Sequence, residues 1–160
     1  MKKIEIKTEI LVAENIEDLN SEDKTLLMEA KNALEKSYSN YSNFKVGAAV
    51  LLENGEIING ANQENAAYPM CLCAERVALA AASSIYPQSP VKAIAVTVKN
   101  PVNKVTTPAA PCGACRQVMS ETEDRYGTKM KVIMQGEEGE IYQVQSVKDL
   151  LPLFFTGDFL

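Results

Sequence analysis

The sequence predicts an α/β fold, a sheet of about five strands packed by helices. Three observations predict it. Helix-period and strand-period segments follow one another along the chain, one segment is alanine-rich and apolar on nearly every side, and the 160 residues are 46% hydrophobic. That length suffices for one proper core and falls short of two ordinary domains. Residues 1–20 read as an N-terminal extension and residues 21–160 as a single domain.

The elements follow in order. From Lys2 to Val12, the residues Ile4, Ile6, Thr8, Ile10 and Val12 alternate against charged neighbours, the period of a half-buried strand, which suits a sheet edge or a free arm. From Ser21 to Ser37, Leu26, Leu27, Ala30, Ala33 and Leu34 recur at helical spacing, with Asn20 or Ser21 able to cap the start. Val46 to Leu52 and Glu56 to Asn59 flank Asn54-Gly55, a dipeptide suited to a two-residue hairpin turn. Leu72 to Ser84 is the alanine-rich segment and reads as a helix buried against the sheet. Val91 to Val98 is a β-branched run bounded by prolines, which reads as a central strand. Pro111 sits where a helix can begin, and Gly113 to about Glu121 continues it. Two strands, Met130 to Gln135 and Glu140 to Val144, and a short helix from Val147 to Leu151 complete the chain.

Composition removes several classes of function. The net charge of -5 disfavours a nucleic-acid partner, because such binding is driven by Lys and Arg neutralising phosphates. No apolar run approaches the roughly 18 to 20 residues of a membrane span, so neither an anchor nor a signal peptide is expected and the cytoplasm is the expected compartment. Four cysteines in that setting argue for reduced thiols or metal ligation. The chain has no histidine, which excludes a Ser-His-Asp or Cys-His triad and leaves acid-base work to carboxylates.

Two motifs then carry the chemistry. Cys73-Ala74-Glu75 opens the alanine-rich helix, and Pro111-Cys112-Gly113-Ala114-Cys115 opens the next one. Cys112 and Cys115 are i, i+3, so both thiolates can face one ion, and Cys73 brings a third ligand. A lone Cys-x-x-Cys also serves redox pairs and structural zinc knuckles. Cys73 and Glu75 shift the balance, since three protein ligands leave zinc an open position for water and a carboxylate two residues from a ligand can reach it. Both motifs fall at strand-to-helix passages, where helix N-termini favour thiolates. Arg76 can donate to the ligand sulfurs and temper an over-anionic metal, with Arg116 in a similar part. Cys71 raises the alternative of a fourth thiolate closing the site.

Cys73-Ala74-Glu75-Arg76 together with Pro111-Cys112-Gly113-Ala114-Cys115-Arg116-Gln117 resembles the cytidine deaminases, specifically their short-chain homotetrameric branch. Tyr41 to Ala49, Asn62 to Tyr68, and Leu150-Leu151-Pro152 with Phe155 are further family-like blocks. The resemblance runs from about Ser21 to the end and implies a three-layer α-β-α fold with a central mixed sheet. It implies one zinc per subunit on Cys73, Cys112 and Cys115, with Glu75 protonating N3 and the departing amine while hydroxide attacks C4 of cytidine or deoxycytidine. It implies Asn62 and Glu64 on the ribose, Phe44 as a wall of the base pocket, and backbone groups of Ala74 and Ala110 on the base edge. Phe155 and Tyr68 resemble residues that cross a subunit interface, so active sites shared within a homotetramer are expected, in an enzyme of pyrimidine salvage. The segment before Ser21 is longer than this branch needs.

Overall fold

The structure is a computed structural model describing residues 1–160. Six strands form one mixed sheet: β1 (Leu11–Ala13), β2 (Lys45–Leu52), β3 (Ile57–Ala61), β4 (Val91–Lys99), β5 (Lys131–Gln135) and β6 (Ile141–Val144), in the spatial order β1-β6-β5-β4-β2-β3. Three α-helices cover it: α1 (Ser21–Ala33), α2 (Ala74–Ile85) and α3 (Gly113–Tyr126). The sixth strand is the end of the N-terminal segment. Only Leu11 to Ala13 of the alternating run finds a partner, β6, because β6 is itself short and its chain turns away after Val144.

Strand period decides which helix meets which face. Ala48, Val50 and Leu52 of β2, with Ile94 and Val96 of β4 and Val132 and Met134 of β5, face α2 and α3 through Ala74, Ala78, Leu79, Ala82 and Met119. The intervening Ala49, Leu51, Ala93, Ala95 and Ile133 meet Leu26, Leu27 and Ala30 of α1 on the other side. The result is the expected three-layer α-β-α arrangement. Asn20 caps α1 as predicted, accepting from the Asp23 N–H (2.9 Å).

Two predicted details differ. The β2–β3 hairpin exists, but its loop is longer than two residues: Leu52 N–H donates to the Glu56 carbonyl (2.9 Å), and Gly55 alone adopts positive φ (87°). A single left-handed residue closing a three-residue loop is the next commonest hairpin solution, and it leaves Asn54 in ordinary backbone space. The last predicted helix is a 3-10 turn, Val147–Leu150, capped by Ser146, too short to complete α-helical bonding.

Direction within the sheet positions the functional end. Both β3 and β4 pair antiparallel with β2, so they run the same way. Each passes at its C-terminal end toward a helix, β3 to α2 and β4 to α3, and both helices therefore begin at one end of the sheet. Helix α2 lies against β3 at Gly60, where an added Cβ would stand 2.5 Å from both the Ala74 carbonyl oxygen and the Ala78 nitrogen. The far end of α3 is fixed by the buried Glu123, which accepts from the N–H groups of Met130 (2.8 Å) and Val147 (3.1 Å) and from the Ser146 hydroxyl (2.8 Å).

Gly60→Ala is expected to destabilise the fold by about 1–3 kcal/mol, since backbone rather than a flexible side chain must move. The midpoint of urea unfolding should fall with little change in slope. Glu123→Ala, which orphans three buried donors, is expected to cost about 3 kcal/mol or more by the same measurement.

Candidate metal centre and substrate cleft

The two cysteine motifs meet where α2 and α3 begin. Cys73 is the N-cap of α2 and Cys112 the N-cap of α3, both in extended backbone, and Cys115 lies one turn into α3. Their sulfurs gather closely. Cys73 Sγ is 3.9 Å from Cys112 Sγ, Cys112 Sγ is 3.4 Å from Cys115 Sγ, and the three lie within 4.8 Å of one another. Tetrahedral zinc with Zn–S bonds of about 2.3 Å needs sulfurs roughly 3.8 Å apart, so this cluster fits zinc without rearrangement. Cys71 stands apart: its Sγ accepts from the Asn65 N–H (3.2 Å), and it is outside the cluster.

The cluster concentrates charge. The hydrogen bond from Cys115 holds the Cys73 thiol down to about 5, with Arg76 helping against the opposing effect of burial. Cys115 moves the other way, pushed up by that same bond and by burial, so the metal-free trio carries its negative charge chiefly on Cys73. Glu75, one residue into α2 beyond Ala74, is only 4% exposed, and burial lifts its carboxyl above the usual range, reinforced by the Cys73 thiolate. The Arg76 guanidinium donates to the Cys71 carbonyl (3.0 Å) and lies 4.0 Å from Cys73 Sγ. Arg116 does not join it. Its guanidinium donates instead to the Pro111 (2.8 Å) and Leu150 (2.6 Å) carbonyls, tying the start of α3 to the C-terminal segment.

A cleft of about 380 Å³ opens onto this cluster, within the range for small-molecule sites. Cys73, Cys112 and Glu75 form its floor, and Phe44, Asn62, Glu64, Tyr68 and Ala110 line its walls. Asn62 is partly committed to the fold. Its Oδ1 accepts from Ser37 Oγ (2.6 Å) and the Val46 N–H (2.8 Å), while its Nδ2 donates to the Phe44 carbonyl (2.9 Å) and keeps one N–H free. Glu64 accepts from Ser42 Oγ (2.5 Å) and the Tyr41 N–H (2.7 Å), bonds that keep its carboxylate below the usual range. These bonds aim it and leave lone pairs over.

Ala74 is wholly buried as the first residue of α2, behind the floor. Tyr68 sits at the rim of its own chain's cleft and packs edge-on against Tyr41 with centroids 6.3 Å apart. Phe155 lies away from that cleft. It is 56% exposed, stacks on Phe159, and its carbonyl accepts from Gln117 of α3 (3.0 Å). Sequence reasoning did not single out Val46, Val96 and Val98 as cleft walls. Their alternation signals only an inward face, and nothing local says that this end of the face is left open.

An α-β-α fold with a thiol tripod at paired helix N-termini and a buried carboxylate beside it defines the class of zinc-dependent hydrolases that activate water. Residues 20–133 match the family of the cytidine and deoxycytidylate deaminase zinc-binding region. The chain is 41% identical over 133 residues to a cytidine deaminase of Halalkalibacterium halodurans, covering 83% of this chain and 93% of that one. It is 42% identical to a cytidine deaminase of Sporosarcina psychrophila, covering 84% and 92%. The crystal structure of a cytidine deaminase from Burkholderia pseudomallei superposes with a TM-score of 0.71 at 42% identity, covering 82% of this chain and 97% of that one. This chain belongs to the cytidine and deoxycytidylate deaminase family. No helix in it is long and apolar enough to cross a membrane.

Single Cys→Ser substitutions at positions 73, 112 and 115 are expected to abolish stoichiometric zinc in a metal assay, whereas Cys71→Ser retains it. In zinc-stripped protein, iodoacetamide should label Cys73 at pH 6.5 faster in the folded than in the denatured chain, because a thiol held near 5 is ionised there and an ordinary one is not. The folded chain's own rate should fall as pH drops through about 5, and its advantage over the denatured chain should vanish as pH rises past about 8.5, where an ordinary thiol ionises too. Peptide mapping of the label checks both.

Proposed function

We propose that this chain catalyses the hydrolytic deamination of cytidine, and of deoxycytidine, to uridine and deoxyuridine with release of ammonia, a step of pyrimidine salvage. The observation that carries the reading is the thiol tripod with Glu75 buried at the floor of a nucleoside-sized cleft. Cys73, Cys112 and Cys115 would hold the metal, and zinc bound there supplies a water acidified enough to act as nucleophile near neutral pH. Glu75 takes up the proton that the water gives up and passes it to N3 of the ring, then takes the remaining proton of that oxygen as the C4 carbonyl forms and gives it to the amine, which leaves as ammonia. A carboxyl raised by burial suits that task, since a higher proton affinity makes it a better base toward the water while it remains able to give the proton on. Arg76 beside Cys73 offsets part of the thiolate charge.

Substrate is held from three sides. Phe44 walls the base, the backbone of Ala74 and Ala110 reads its edge, and the free N–H of Asn62 with the spare lone pairs of Glu64 grips the ribose hydroxyls. The apolar wall and this amide-carboxylate pair favour an ordinary nucleoside over a bulky modified aminopyrimidine such as blasticidin S. The working unit is a homotetramer in the cytoplasm. Supporting this, Tyr68, Met70, Leu72 and Phe155 are exposed, and a groove of about 730 Å³ runs between α2 and α3. Phe155, off its own cleft, is free to stack on a base held by a neighbour, and Tyr68 at the rim can meet the same interface.

Zinc-loaded protein should convert cytidine to uridine, followed by the absorbance change of the ring, and faster than it converts blasticidin S. Absence of turnover at full zinc occupancy would overturn the assignment. Glu75→Gln should keep its zinc and lose roughly 10²–10⁴-fold or more in turnover, the usual worth of a general acid-base. Phe155→Ala should raise KM about 5- to 150-fold, the loss of one stacked aromatic, with the molar mass by light scattering unchanged.

A further inference from the structure

The N-terminal arm is used by neither the core nor the cleft. It precedes residue 20, where the family region begins. Met1 to Ile10 pair with no strand, although the run has strict strand period, and they lead into β1, the outermost strand of the sheet. Thr8 Oγ1 donates to the Asp149 carbonyl (2.8 Å), so the arm continues along the turn that follows β6. Ile4, Ile6 and Ile10 are exposed, Ile4 by 82%. An unpaired edge continued by an apolar stripe is a template for another strand.

We propose that the arm pairs antiparallel with the arm of a second copy of this chain, about a two-fold axis through Ile6. The order of residues on its two faces carries the inference. Lys3, Glu5, Lys7 and Glu9 occupy one face with alternating sign, while Ile4, Ile6, Thr8 and Ile10 occupy the other. Antiparallel pairing of two identical strands about a residue keeps each face matched to itself, so apolar meets apolar and charge meets charge. Pairing about the midpoint between two residues instead sets isoleucine against charge. Among residue-centred registers, an axis through Lys7 opposes Lys7 to itself and Glu5 to Glu9, and one through Glu5 opposes Lys3 to Lys7. The axis through Ile6 opposes Lys3 to Glu9 and Glu5 to Lys7, each twice by symmetry, with Ile6 on Ile6, Ile4 on Thr8 and, at the two ends, Lys2 across from Ile10. Axes through Ile4 and Thr8 also set Lys against Glu, but with one distinct pair each, Lys3 with Glu5 and Lys7 with Glu9, so the Ile6 axis, with two, gathers the most opposite charge across the pair and is favoured. The Lys7–Glu5 contact within one arm, at 4.0 Å and fully solvated, is replaced by contacts between copies. Residues 11–13 stay on β6, so the exchange costs the sheet nothing.

Cysteine cross-linking of the zinc-loaded full chain with diamide tests the register. Ile6→Cys should form a covalent dimer on a non-reducing gel, since facing residues of an antiparallel pair lie within disulfide reach. Thr8→Cys alone should not exceed the unsubstituted chain, while Thr8→Cys co-expressed with Ile4→Cys should give the mixed dimer. In the Ile6→Cys background, K3E with K7E, or E5K with E9K, should each abolish the dimer, and co-expression of the two should restore it as a mixed species. Failure of Ile6→Cys to cross-link above the unsubstituted chain would overturn the proposal. Equal cross-linking by Thr8→Cys alone, or insensitivity to charge reversal, would show an unregistered contact or another partner and overturn it equally.

Discussion

Everything at the functional end depends on one directional constraint: β3 and β4 both run against β2. Because they point the same way, the helices that follow them start side by side, and the N-terminal dipoles of α2 and α3 converge. Cys73 and Cys112 cap those two helices, and before any metal arrives the negative charge of the trio rests chiefly on Cys73. Reversing either strand would send one cysteine motif to the opposite end of the sheet. The close seat of α2 on β3 at Gly60 completes the constraint, since it sets how deeply the Cys73 end of that helix is drawn in.

The two ends of the helical layer use buried carboxylates differently. Glu123 is enclosed by backbone and hydroxyl donors, and its charge is spent on joining α3, β5 and the turn after β6. Glu75 is as deeply buried but opens onto the cleft. The first is an anchor. The second holds a proton equilibrium that burial has moved upward, which is what a carboxyl must have if it is to take the part a histidine would otherwise play in a chain with none.

Much of this was legible in the sequence because it rests on local regularities. The Asn54-Gly55 turn marked the β2–β3 hairpin, a β-branched run between prolines marked β4, alanine richness marked α2, and the i, i+3 cysteines marked one rim of the metal cluster. What escaped depends on partners distant along the chain. Nothing near Glu123 announces Ser146, nothing near Gly60 announces the backbone of α2, and the hairpin turn took a longer form than its Asn-Gly suggested. Arg116 was expected beside the sulfurs and turned instead to Pro111 and Leu150, since those carbonyls, one of them from the far C-terminal segment, lie within its reach. Val46, Val96 and Val98 wall the cleft, but in the sequence they are only strand residues, since what opens that end of the sheet is set by segments distant along the chain.

Asn62 shows how tightly such a cleft can be joined to its scaffold. Its carbonyl oxygen closes the turn at Ser37 and the start of β2 at Val46, and its amino group holds the Phe44 carbonyl, so a residue that lines the cleft also fastens the loop carrying Phe44. Such a residue has little freedom to drift. Replacing Asn62 would therefore loosen the cleft wall as well as remove a polar group from it.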